Sequence, residues 1–212
     1  MKKTFFLTTV AMLVAVLVAP LNATAQSKRV VKEAKKETKA LVKEGFKSMG
    51  RPIDRQIEDY LTRIDQTAED GTAKYYEGNN VSVAGTYAAA QMAATNIAKV
   101  RLAEKVESTI MAQAKIEIAN AQLNAEEAAS ITKAIEKSTT MVAQKLNNII
   151  VAKEFYRILE NKNYEVQVVL LYDRQAAKEL AVKEAKDDLR KSLDNFKPEY
   201  EKVLDAVNQN AK

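Results

Sequence analysis

The stretch 81–106, VSVAGTYAAAQMAATNIAKVRLAEKV, narrows the possible folds more than any other part of the chain. Val81 and Val83, at alternate positions, lead through Gly85 into an alanine-rich segment that keeps a helical period for about 30 residues. On that segment Ala93, Ile97, Val100, Ala103 (or Leu102), Val106 and Ile110 draw one apolar stripe, which places Ala93 on the inward face. Fifteen alanines lie between Ala88 and Ala134. Alanine has the best helix propensity, and its small side chain lets a helix come close to a second helix or to a sheet. Such a composition builds scaffold rather than chemistry.

Downstream, Asn124 is placed to cap a second helix and Glu127 to reach back to it, a capping box with Asn in the usual Ser/Thr position. Ile131, Ile135, Val142 and Leu146 continue the stripe, so residues 86–148 read as two helices with a break around Gln122 to Ala125. The period then changes. Segments 149–159, IIVAKEFYRIL, and 164–172, YEVQVVLLY, are rich in β-branched and aromatic residues and flank the polar turn Glu160-Asn161-Lys162-Asn163, which predicts a hairpin. Tyr164, Val166, Val168, Leu170 and Tyr172 share one face of its second strand. Burying the three aliphatics contributes roughly 5 to 9 kcal/mol before chain entropy is charged, and only a helix laid over that face can do so. The 86–110 stripe is expected to cover the hairpin, with Val81 and Val83 as a candidate third strand. Asp173 is a candidate N-cap for a helix over 174–196 with Ala177, Leu180, Ala181, Ala185, Leu189 and Leu193, and Pro198 opens a terminal helix with Tyr200, Val203, Leu204 and Val207. The fold class is α+β: long alanine-rich helices on a small antiparallel sheet in β-α-α-β-β-α order, preceded by a helical extension.

The first 25 residues have the three zones of a secretory signal: Lys2 and Lys3, the apolar run Phe5 to Ala19, and Ala23-Thr24-Ala25, with cleavage expected before Gln26. No cysteine follows the apolar run, so the chain carries no lipobox. Two of the 33 basic residues lie in the signal, which leaves 31 against 28 acids and a mature net charge of +3. That near balance predicts no general affinity for nucleic acid. Absence of both histidine and cysteine removes Ser-His and Cys-His catalysis and zinc sites built on those ligands. Carboxylate, hydroxyl or lysine chemistry remains.

Charge is concentrated in residues 27–51, SKRVVKEAKKETKALVKEGFKSMGR, where nine basic residues face Glu33, Glu37 and Glu44. Val30 and Val31, Ala34, Leu41 and Val42, and Phe46 draw a narrow apolar stripe, broken at Thr38, and Gly45 and Gly50 end the segment. One reading is attachment to an anionic surface, with Lys32, Lys35, Lys36, Lys39 and Lys43 as the contacts. The other is a solvated helix whose stripe touches the domain, with Lys/Glu neighbours acting as helix stabilisers. Pro52 fits the first position of the next helix, whose apolar face is Ile53, Ile57, Leu61 and Ile64 with Tyr60 beside them, and Gly78-Asn79-Asn80 ends a loop carrying Tyr75 and Tyr76. Adjacent tyrosines are either a stacking platform for a sugar or base or ordinary packing over a loop. Asn80-Val81-Ser82 matches a glycosylation sequon by chance in a chain whose signal has a bacterial pattern. The carboxylate pair Asp187 and Asp188 sits about 100° apart on a helix and is poorly placed to share a ligand.

The ordered pattern of strand, alanine-rich helix pair, hairpin and helix resembles the lipoprotein-20 family of small bacterial envelope domains, also found at the N-terminus of a flagellar outer-membrane assembly protein. The resemblance rests on Val83-Ala84-Gly85, the Ala88-Ala89-x-x-x-Ala93-Ala94-x-x-x-Ala98 spacing, Leu102-Ala103 and the Tyr164-Glu-Val-Gln-Val strand. Over the whole mature chain, Lys43-Glu44-Gly45-Phe46-Lys47 and Pro52-Ile53-x-x-Gln56 are similar to a group of exported proteins of anaerobic Gram-negative bacteria. The resemblance implies a periplasmic or outer-membrane-associated location and an α+β fold; it implies no activity and brings no catalytic residues to carry over, and no cofactor is expected. The chain divides into a signal over 1–25, a basic amphipathic helical extension over 26–70, a domain over 79–196 that the resemblance marks as lipoprotein-20-like, and a helical tail over 197–212. Three functions are in play. One is a non-enzymatic structural or interaction module bound to another envelope protein or to itself; another is a binder of anionic membrane surface. The third, a carboxylate-dependent glycan-acting enzyme, needs two acids converging in a cleft.

Overall fold

Along β3, Tyr164–Asp173, residues Val166, Val168, Leu170 and Tyr172 are buried at every second position, and this strand is the centre around which the domain closes. The computed structural model describes residues 19–68, 71–144, 148–192 and 196–209; most of the expected signal, together with Leu146 and Leu193, lies outside them. β3 is flanked by β1, Tyr75–Ala84, and β2, Ile150–Ile158, in the order β1-β3-β2, both pairings antiparallel. The register runs from Tyr75 opposite Asp173 to Ala84 opposite Tyr164, and from Ile150 opposite Leu171 to Ile158 opposite Tyr164 with an irregularity at Ala152. The expected turn joins β2 to β3: Lys162 takes a positive φ, its N–H donates to the Leu159 carbonyl at 2.9 Å, and the Leu159 N–H donates to the Asn163 carbonyl at 2.8 Å.

The third strand is present but longer than its two valines. Tyr75 and Tyr76 and the Gly78-Asn79-Asn80 cluster, expected as loop, are all inside β1. The physical reason is the helix that follows. Gly78 lies so close to α3, Tyr87–Asn120, that a Cβ built on it would stand 2.2 Å from the Ala98 carbonyl oxygen. Glycine at this point answers a steric demand rather than a turn.

The inward face of α3 also differs from the expected one. Its buried ridge is Ala90, Ala94, Ala98, Leu102, Val106, Ile110 and Ala114, a strict four-residue spacing. Leu102, Val106 and Ile110 are inside as expected, but Ala93 is half-buried, and Ile97 and Val100 are 43% and 56% exposed. Two apolar stripes compete on this helix, and side-chain volume decides between them. At Gly78 the α3 backbone comes down at Ala98 and Leu102, and this close approach favours the stripe with alanine at three successive turns, while Ile97 and Val100 stay out. α3 lies over β1 and β3 and meets the β2 half of the hairpin through its first turns, where the Tyr87 hydroxyl and Gln91 amide both donate to Glu154.

α4, Ala125–Gln144, is capped as expected: the Glu127 N–H donates to Asn124 Oδ1 at 2.9 Å and the Asn124 N–H to Glu127 Oε2 at 3.3 Å. Asp173 caps α5, Arg174–Ser192, by accepting from the Ala176 N–H at 3.1 Å. Ile131, Ala134, Ile135 and Val142 of α4 and Ala177, Ala181, Ala185 and Leu189 of α5 join the core on the α3 side of the sheet. α6, Pro198–Gln209, in the stretch read as a tail, places Tyr200, Val203, Leu204 and Val207 in that same core.

The opposite face of the sheet holds a smaller core. Ala34 of α1, Ala19–Lys43, and Ile53 and Ile57 of α2, Ile53–Ile64, pack with Phe46 and with Phe155 of β2, flanked by Leu41 and Leu61. Pro52 precedes α2 as its cap residue rather than opening the helix. Ile64 is 38% exposed and lies outside this core. Lys47 bridges Tyr156 by two backbone hydrogen bonds of 2.7 and 2.9 Å, which occupies part of the β2 edge. Gln56 locks the unit to the sheet. Its buried amide donates to Ser48 Oγ at 2.8 Å and to the Arg51 carbonyl at 2.7 Å, and its oxygen accepts from the Glu154 N–H at 2.8 Å. Gln56→Leu keeps the volume but orphans these partners, so chemical denaturation should report a loss of about 2 kcal/mol, and unchanged stability would refute this role.

Candidate anionic-surface interface

α1 divides its residues by chemistry around the helix axis. Val30 and Ala34 are buried and Leu41 half-buried on the side that meets α2 and the sheet. At 100° per residue, Lys28, Val31, Lys32, Lys35, Lys36, Lys39, Val42 and Lys43 fall in one arc of about 140° on the other side. All six lysines in it are exposed, and the arc contains no acid. From Lys28 to Lys43 it runs about 22 Å along the helix at 1.5 Å per residue.

The acids of the segment are turned away and matched. Glu33 pairs with Arg29 at 3.7 Å, Glu37 with Lys153 of β2 at 2.9 Å, and Glu44 with Arg157 of β2 at 3.9 Å, while Arg29 also reaches Asp65. Arg157 in turn lies 4.7 Å over the Phe46 ring and holds Glu165 at 2.9 Å. Among the described residues no ion pair engages a lysine of the arc. The pairs of Glu37, Glu44 and Arg29 with Lys153, Arg157 and Asp65 therefore fasten α1 to the domain, Glu33 pairs within its own helix, and six positive charges are left presented on one side.

Lys32, Lys35, Lys36, Lys39 and Lys43, the contacts expected from sequence, are thus brought together on one face. Lys28, not among the contacts expected from sequence, extends the arc by one turn, and Val31 and Val42, expected on the inward stripe, lie within it. Val42 is 58% exposed and borders the lysines. A wheel of residues 28–43 drawn at 100° per residue carries that signal, because every acid falls on one side of it.

The other candidates are structural. Tyr75 and Tyr76 are successive strand residues and point to opposite faces, so they form no common platform. Tyr76 is buried with the Arg174 guanidinium 4.7 Å from its ring, and Tyr75 stands beside Arg63 and Lys74. Asn80 is buried, its amide donating to the Val81 carbonyl at 3.0 Å and to Ser82 Oγ at 2.9 Å. Asp188 pairs with Lys137 of α4. Titration behaviour follows packing: burial, then the hydrogen bonds to Glu77 and Glu154, push the hydroxyls of Tyr60 and Tyr87 up, and the Lys197 hydrogen bond holds Glu127 below the usual carboxylate range. Among the described residues no group of three or more acids could hold a metal ion, and no helix is long and apolar enough to cross a membrane.

No protein-family model, no curated protein and no solved structure matches this chain.

Proposed function

We propose that this protein is an exported, non-enzymatic component of a Gram-negative cell envelope, periplasmic or associated with the outer membrane, that works as an interaction module. The observation that carries the reading is the charge segregation on α1: six exposed lysines in an acid-free arc, with Glu37 and Glu44 paired to β2 and Glu33 to Arg29 of its own helix. Structural stability does not call for such an arrangement. Lysines interleaved with acids would hold the helix better through i,i+4 pairs. The Lys2-Lys3 start, apolar run and Ala23-Thr24-Ala25 site support export.

A protein partner or self-association is favoured by a second surface. No charged residue occurs between Glu77 and Lys99, and on the outward side of α3 Met92 is 64% exposed beside Ala93, with Ile97 and Val100 also open. That side of the helix faces away from the sheet, on the opposite layer to α1.

Expression in a Gram-negative host followed by fractionation tests the proposal. The expected product begins at Gln26, sediments with the envelope at low ionic strength, and is released by about 0.5 M salt, where screening is nearly complete within a few ångströms. Full-length protein in the cytosol would overturn the export reading. A mature form that stays in the periplasmic supernatant at low salt would overturn the envelope association.

A further inference from the structure

We infer that the α1 arc docks on a bilayer surface rich in anionic lipid, lying flat against the headgroups while its opposite side stays packed on the sheet. This rests on the envelope reading and deepens it: the same lysine arc is taken together with the burial of the helix's apolar side. An isolated amphipathic helix binds membranes by burying its apolar stripe. Here Ala34, with Leu41 beside it, already packs with Phe46, Ile57 and Phe155, and Glu37 and Glu44 tie the same side to Lys153 and Arg157. Insertion of that stripe would require tearing the smaller core open, so attraction has to come from the outward side.

What the outward side offers is specific to a lipid interface. Lys28, Lys32, Lys35, Lys36, Lys39 and Lys43 lie along one face of a single helix, and no carboxylate in the arc opposes a negative headgroup. Val31 and Val42 share the arc, Val42 being well exposed. Two aliphatic side chains among lysines have no use against a soluble polyanion, where cations alone make the contacts, but they reach the headgroup boundary once the lysines have brought the helix down. Charge complementarity and this apolar fringe together select a membrane over a free polyphosphate chain.

The test uses the mature chain from Gln26 to Lys212. Sedimentation is measured with vesicles of phosphatidylglycerol and phosphatidylcholine, with pure phosphatidylcholine vesicles, and against polyphosphate in solution. Binding is expected to the mixed vesicles alone, falling steeply between about 0.05 and 0.5 M salt. Each Lys→Gln change in the arc should lower partitioning about five-fold, and Val42→Ser about two-fold, with melting temperatures unchanged because these side chains point outward. Binding to polyphosphate with none to vesicles would overturn the bilayer proposal and leave the envelope reading standing. Vesicle binding that survives loss of all six lysines would overturn the arc as its cause. Vesicle binding with cytosolic retention in the host would remove the export reading alone.

Discussion

Replacing Gly78 with valine is expected to abolish stable folding, and even Gly78→Ala should lower stability by about 3 kcal/mol or more. A Cβ at this position stands 2.2 Å from the Ala98 carbonyl oxygen, 2.7 Å from Leu102 Cβ and 2.9 Å from the Leu102 amide nitrogen. Two of these atoms are backbone and the third is fixed to it, so no rotamer change relieves the overlap. α3 would have to lift off β1, opening the layer that buries Ala94, Ala98 and Leu102. Against the 5–15 kcal/mol that separates folded from unfolded states in domains, that is a large fraction. A thermal melt should show Gly78→Ala lower by about 10 °C, given roughly 2–4 °C per kcal/mol at this chain length. A melting temperature within a degree of the parent would mean that α3 does not approach β1 as closely as described.

The second large effect separates two neighbouring alanines. Ala94→Trp should cost about 3 kcal/mol or more, since Ala94 is wholly buried between α3 and the sheet and the indole has nowhere to go. Ala93→Trp, at a half-buried position beside the ridge, should cost clearly less, about 1 kcal/mol. The chain contains no tryptophan, so each variant carries a single indole, and its emission reports the environment as well as the stability. A blue-shifted, destabilised Ala93 variant beside an unperturbed Ala94 variant would show the helix to be turned the other way. The pair also discriminates between the two stripes that the sequence of α3 offers.

Those two stripes explain why part of the fold is legible from sequence and part is not. Asn124 with Glu127, Asp173 with Ala176, and the turn at Lys162 act over two to four residues, so the caps and the hairpin can be read from neighbours in the chain. The alternation of Val166, Val168, Leu170 and Tyr172 is equally local. By contrast, Ala93-Ile97-Val100 and Ala90-Ala94-Ala98 are both apolar at helical spacing, and hydrophobicity cannot rank them. The ranking comes from Gly78, which is distant in the register of the helix but in contact in space. The same partner explains why Gly78-Asn79-Asn80, turn residues by composition, lie in a strand. There Asn80 bonds to the Val81 carbonyl and Arg101 donates to the Asn79 carbonyl at 2.8 Å, so two backbone acceptors of an edge strand are occupied by side chains.

For the candidate interface the division is similar. The five lysines chosen from sequence were recognisable because basic residues cluster in one segment. Their shared orientation follows from helical geometry alone. Which side of α1 is free does not. The wheel groups Val31 and Val42 with the lysines and Val30 and Leu41 opposite them, but only the docking of α1 against α2 and Phe155 makes the second group the inward one.

By itself, then, the sequence determined the α+β class, the order of the elements and the composition of the basic segment, because periodicity, capping and turn chemistry are written in residues close together along the chain. Only the tertiary structure decided the β1-β3-β2 order, the face of α3 that is buried and the use made of the apolar side of α1. Each of these depends on whether side chains far apart in sequence fit the same space, and fit is a property of volumes in contact rather than of any one segment.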